Sequence, residues 1–231
     1  MSERTIVIWD IDNTLLYTGG AGSVAMTRAF HELYGIEDAF ASVEFSGRSD
    51  RAIFRDAAVN HGIPPVALDA ELVKFIDAYA QHLTVALQEM RGALMPGILA
   101  ILSRLGARHD VVQGLGTGNF RRTGIAKLQR YDIAAYFPGA VGGFGDDHES
   151  RDELIRIGIA RVRNGGEPDR VVVVGDTPHD VTAARANGAY ALAVATGRDS
   201  IEGLLSCGAD AALSDLTDTD RVMSIILDRL P

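Results

Sequence analysis

Four apolar residues in succession, Ile6-Val7-Ile8-Trp9, run straight into Asp10-Ile11-Asp12-Asn13-Thr14. An unbroken apolar run of strand length suits a strand buried on both faces, as in a parallel sheet covered by helices. Acids at the C-terminal end of such a strand lie where open α/β sheets place their ligands. Two carboxylates one residue apart can divide labour: one attacks or binds metal, the other moves protons.

The remaining pattern agrees with an α/β chain. Further strands are expected at 110–115, 141–144, 171–174 and 191–195, with helices between them and after them, the last from Thr219 to Leu230. Alternation of this kind implies a parallel sheet covered on both faces. Between Gly19-Gly20-Ala21-Gly22 and Met95-Pro96-Gly97 the period is helical throughout: Val24, Ala25, Ala29, Phe30 and Leu33, then Leu68, Leu72, Phe75, Ile76 and Tyr79. Gly62-Ile63-Pro64-Pro65 separates two of these helices. The expected organisation is a core of residues 1–17 and 95–231 with an all-helical insert at 18–94.

Bulk properties exclude several classes. The net charge is −9 and no Lys/Arg-rich run occurs, which argues against nucleic acid or an anionic membrane as partner. One cysteine, Cys207, excludes an internal disulfide and a cysteine metal cluster; its place at a helix end suggests a core thiol. The N-terminus shows no apolar signal region, and no segment reaches the roughly 18 apolar residues of a membrane span. A cytoplasmic protein, monomeric or homodimeric, is expected. With 47% hydrophobic residues in 231, it carries enough apolar material for a sizeable core.

Three further stretches carry candidate chemistry. Gly116-Thr117-Gly118-Asn119 follows a strand; its hydroxyl and backbone N–H groups can hold a phosphoryl oxygen, or form an ordinary βα turn. In Val171-Val172-Val173-Val174-Gly175-Asp176-Thr177-Pro178-His179-Asp180 an apolar strand again delivers an acid. Asp180 can cap the following helix or join a metal site. Asp10, Asp12 and Asp176 on neighbouring strand ends would repel one another without a cation. Among basic residues, Arg151 opens a helix after Gly143-Phe144-Gly145, whereas Lys127 reads as part of a solvated helix face. Lys127 and Lys74 are the two lysines of the chain. His148 is a candidate substrate contact, and His179 is expected at the solvent or the rim.

Asp10-x-Asp12-x-Thr14, Thr117, Arg151 and Asp176-x-x-x-Asp180, in this order, resemble the four motifs of the haloacid dehalogenase superfamily of phosphohydrolases. The insert resembles its type 1 helical cap. The resemblance implies a Rossmann-like parallel core and a small phosphorylated metabolite as partner. It makes Asp10 the nucleophile and Asp12 the acid and base. Thr117, Gly118, Asn119 and Arg151 hold the phosphoryl group. Mg²⁺ is held by Asp10, Asp176, the Asp12 carbonyl and Asp180, the last directly or through water. Asn13 stands where many members have Gly, and it tolerates left-handed backbone. Arg151 stands where the family usually has Lys. Phe45-Ser46-Gly47-Arg48 resembles the cap loop that selects substrate; Arg48 would grip a carboxylate or second phosphate, or pair with Asp50 or Glu44. Retention of Asp12 favours phosphoester hydrolysis over dehalogenation. Phosphoglycolate phosphatase-like enzymes are the nearest group, with a β-phosphoglucomutase-like mutase as runner-up and a non-catalytic phosphometabolite-binding protein behind it.

Overall fold

The structure, a computed structural model, describes residues 4–163, 168 and 170–227. The expected N-terminal Met1-Ser2-Glu3 lead and the end of the last helix, 228–230, lie outside them.

Six parallel strands form the central sheet. They are β1 (Thr5–Trp9), β4 (Val111–Gly116), β5 (Gly142–Gly143), β6 (Arg170–Gly175), β7 (Tyr190–Val194) and β8 (Ala211–Leu213), in the order β5-β4-β1-β6-β7-β8. Around and between them lie α4 (Ile98–Gly106), α5 (Arg121–Arg130), α6 (Arg151–Arg163), α7 (Pro178–Ala186), α8 (Ile201–Ser206) and α9 (Thr219–Leu227). Alternate side chains of β1 point to opposite faces. Val7 and Trp9 join Leu102, Leu105 and Val222 on one face; Ile6 and Ile8 join Ile155, Ile159 and Val181 on the other. Both faces being covered is why the sequence of β1 shows no polar alternation.

The chain leaves β1 for β4 and β5 on one side, then crosses to β6, β7 and β8 on the other. That reversal beside β1 is a topological switch point, where a crevice opens at the C-terminal strand ends. Trp9 is level with Leu115 and with Val174, so Asp10, Thr117 and Asp176 leave the sheet together.

The segment after β1 holds α1 (Ala21–Tyr34), α2 (Asp50–Asn60) and α3 (Leu68–Glu89), packed around Phe30, Phe54, Phe75 and Tyr79. Gly62 to Pro65 separates α2 from α3 as the breaker residues require. Strands β2 (Leu16–Tyr17) and β3 (Ala93–Leu94) pair antiparallel and tie the two connections of this segment together. Strand β2 falls in the expected core stretch 1–17 and β3 at the very end of the insert; two-residue strands show no period, so neither was expected.

Cys207 corrects another expectation: it is exposed. Helix α8 is six residues long and buries only Leu204, leaving its C-cap residue in solvent.

Candidate active site

Helix α2 is docked on the crevice by its N-terminus. Asp50 N donates to the Gly118 carbonyl at 2.8 Å, and Phe120 N donates to Asp50 Oδ2 at 3.0 Å. A Cβ on Gly118 would run into the Arg48 carbonyl, so glycine is what allows this approach. Under the contact lies a cavity of about 360 Å³, walled by the strand ends on one side and by α1, α2, α3 and the Phe45–Arg48 loop on the other.

Asp10 is 7% exposed at the end of β1. Arg151, from the first turn of α6, reaches it at 2.7 Å and Asp180 at 2.5 Å. Asp180 also accepts from Thr177 N and Oγ1, completing a capping box with Pro178 at the first helical position. It therefore caps α7 and faces the site at once, so the two readings open from sequence are compatible.

Carboxylate oxygens of Asp10, Asp176 and Asp180 lie within 4.8 Å of one another. Asp176 Oδ1 accepts the Thr14 hydroxyl at 3.3 Å, while Oδ2 is buried with no hydrogen-bond partner among the described residues. Burial, partly offset by Arg151 and reinforced by Asp180 and Asp12, pushes Asp10 up to about 6. Burial, then Asp10 and Asp180, pushes Asp176 up to about 9. Arg151 answers two of the three acids, and the orphaned oxygen belongs to the third. An all-oxygen, anionic donor set of this kind fits a hard divalent cation.

Asp12 lies on the cavity side, its side chain 37% exposed. Lys127 Nζ contacts its two oxygens at 2.9 and 2.6 Å and Asn119 Oδ1 at 2.6 Å. Asn119 Nδ2 donates to Asp12 Oδ2 at 2.8 Å and to Thr117 Oγ1 at 2.9 Å. Lys127 is thus 3% exposed, against the expectation of a solvated face. Its helix turns Thr123, Gly124, Lys127 and Leu128 inward. The register with Thr123, Gly124 and Leu128 was the available signal. Asn13 takes φ +56°, in the left-handed region as expected of it.

The remaining candidates are dispersed. Arg48 lines the cavity, but its guanidinium pairs with Asp56 at 2.7 Å rather than with Asp50 or Glu44. It touches Glu44 through the backbone carbonyl alone. Asp50 is instead buried, and burial pushes its carboxyl up to about 7. Sequence reasoning did not single it out as a site residue; its place at the start of an amphipathic helix looks like ordinary capping. Lys74 is exposed and pairs with Glu71. His148 is exposed, its Nδ1 accepting from Ser150 N at 2.9 Å. His179 is exposed and abuts Gly47 of the Phe45–Arg48 loop.

Solved structures share this architecture. A hydrolase from Pseudomonas syringae superposes with a TM-score of 0.71 at 18% identity, over 98% of this chain and 100% of its own. CbbY from Rhodobacter sphaeroides, solved with phosphate, gives 0.70 at 18% identity over 94% and 96%. A candidate β-phosphoglucomutase from Thermotoga maritima gives 0.63 at 22% identity over 97% and 100%. No curated protein matches the sequence. The family model for haloacid dehalogenase-like hydrolases matches residues 7–194, which run from within β1 to the end of β7 and include every acid of the site. The chain belongs to the haloacid dehalogenase-like hydrolase family.

Proposed function

We propose that this protein is a Mg²⁺-dependent phosphatase acting on a small phosphomonoester metabolite of the phosphoglycolate or sugar-phosphate type. The observation that carries the reading is the pairing of a buried Asp10 beside Arg151 with an Asp12 that faces the cavity. In this reading residues 1–17 and 95–231 are the catalytic core, and 18–94 are a cap that closes the crevice. In this reading the enzyme is cytoplasmic and monomeric or homodimeric; among the described residues no helix is long and apolar enough to cross a membrane.

Asp10 attacks phosphorus, and the bond to the ester oxygen breaks. Asp12 gives its proton to the departing alkoxide. Water then attacks the aspartyl-phosphate while Asp12 takes back a proton, releasing inorganic phosphate and restoring Asp10. Arg151 fills the basic role of the family's third motif, neutralising the nucleophile and the transferring group. Thr117, Gly118 and Asn119 hold phosphoryl oxygens. Asp10, Asp176, Asp180 and the Asp12 carbonyl would hold Mg²⁺, which supplies charge neutralisation when bound. Arg48, engaged by Asp56, would meet substrate only by exchanging that partner.

Inorganic phosphate release from a panel of phosphoesters with Mg²⁺ tests the reading. Turnover without added bisphosphate identifies a phosphatase. Conversion of a sugar phosphate that needs a bisphosphate activator identifies the mutase instead, and silence on every substrate leaves the binding role.

Gly197→Ala tests the cation site. A Cβ at Gly197 would overlap the orphaned Asp176 Oδ2, and Gly197 lies outside the left-handed region, so alanine adds no backbone strain. The Mg²⁺ concentration for half-maximal activity is expected to rise about tenfold or more, as for other disturbed ligand supports. An unchanged Mg²⁺ titration would place the cation elsewhere.

A further inference from the structure

Lys127 is a further cation in the crevice, separate from Arg151. Arg151 serves Asp10 and Asp180, whereas the hydrogen bonds of Lys127 run to Asp12 and Asn119. Burying an ammonium is costly unless it is paired and fully hydrogen-bonded. The buried Asp50, 8% exposed, feels the charge of Lys127, but the hydrogen bonds of Nζ do not run to it. Nζ instead takes Asp12, whose side chain is 37% exposed to the cavity.

The surroundings explain what Asp12 gains. It projects from the loop after β1 with Asp10 and Asp50 near it, and both repel it. Left alone, a half-exposed carboxylate would turn away from them, towards water. Lys127 engages both of its oxygens and Asn119 a second time at Oδ2, so orientation and position are both fixed. Helix side chains lean towards the N-terminus, which brings Lys127, in the second turn of α5, back towards Asn119 just ahead of the helix. Cap helix α1 closes over the pair: a Cβ on Gly22 would sit 3.4 Å from Tyr79 Oη and 3.6 Å from Lys127 Nζ.

We propose that Lys127 is a positioning residue for Asp12, holding its carboxyl against the ester oxygen that leaves. The proposal rests on the phosphatase reading and adds a residue to it. It makes a specific demand. Alkyl phosphates need their leaving oxygen protonated, and aryl phosphates such as 4-nitrophenyl phosphate hardly do. A residue that acts through Asp12 matters for the first and not for the second, whereas a residue that only supports the fold matters equally for both.

The test compares kcat/KM for 4-nitrophenyl phosphate and for an alkyl phosphomonoester that the wild type hydrolyses, since kcat/KM reports phosphoryl transfer without the later hydrolysis. Wild type, Lys127→Met, Lys127→Arg and Asp12→Asn are measured with Mg²⁺. Lys127→Met is expected to lose about 10²-fold on the alkyl ester and less than about threefold on the aryl ester, following Asp12→Asn. Equal losses on both esters, or no loss on either, would overturn the proposal. If Lys127→Met does not fold, Lys127→Arg is read by the same criterion: its planar head cannot reproduce the ammonium contacts, so the loss again falls selectively on the alkyl ester. Failure of the wild type to hydrolyse either ester would count against the phosphatase reading itself.

Discussion

Asp10→Asn is expected to lower phosphate release by about 10³-fold or more while leaving the fold intact. The amide matches the carboxylate in size but is a poor nucleophile. It leaves Arg151 with Asp180 as its remaining partner at 2.5 Å, so no buried cation is orphaned. Burial already biases the native Asp10 towards its neutral form, so a neutral side chain costs the fold little. Two measurements check this. Phosphate release by wild type and variant gives the loss. Mass spectrometry of acid-quenched wild type gives the covalent step, as a phosphoryl group on the peptide containing Asp10 that the variant lacks. Retention of more than about a tenth of the wild-type rate would remove Asp10 from the nucleophile role, because no neighbouring group replaces a lost nucleophile so well.

Much of this site was readable in advance because its acids sit at the ends of apolar runs. Ile6-Val7-Ile8-Trp9 and Val171-Val172-Val173-Val174 are strands buried on both faces, and burial leaves a plain mark on composition. Register sets Trp9 beside Val174, so Asp10, directly after its run, and Asp176, one residue beyond Gly175, both emerge at the crevice. Left-handed backbone at Asn13 and the capping box of α7 are equally local and were equally legible. Lys127 and Asp50 were not. Each owes its burial to a partner far away in sequence: Lys127 to Asp12, and Asp50 to Phe120 N on the docked core loop. One-dimensional periodicity says that Lys127 shares a face with Leu128, but not that an acid waits there. Arg48 shows the reverse. Its loop was legible as a rim of the cavity, while its partner Asp56, two turns along α2, outcompetes the acids closer in sequence. The pairing of β2 with β3 escaped for a further reason: two residues are too few to carry a pattern.

Mg²⁺ at about 100 times its dissociation constant is expected to raise the melting temperature of the wild type by about 5–10 °C, and that of Asp176→Asn hardly at all. The metal-free proteins should differ in the opposite sense. Asp176 titrates near 3.8 when exposed and is pushed up to about 9 in the fold by burial and by Asp10 and Asp180. Between those values the native state holds a proton that the unfolded chain has released. Unfolding free energy therefore falls as pH rises across that window, in proportion to the difference in bound protons. Asp10, pushed up to about 6, adds a slope of the same sign below that pH. Asparagine at 176 carries no charge and keeps a side-chain oxygen for the Thr14 hydroxyl. Metal-free Asp176→Asn should thus melt above metal-free wild type at pH 8, and the gap should close towards pH 5, where the native Asp176 is already protonated. Melting curves at both pH values, with EDTA and with Mg²⁺, decide the matter. Equal Mg²⁺ shifts in the two proteins would mean that the cation does not use Asp176. A variant that melts below the metal-free wild type at pH 8 would mean that Asp176 is held ionised by a cation other than the metal. The two effects have opposite signs in the wild type, a loss of stability at pH 8 without Mg²⁺ and a gain on adding it, and both are expected to vanish in Asp176→Asn, which would tie the instability of the three clustered acids to a bound cation.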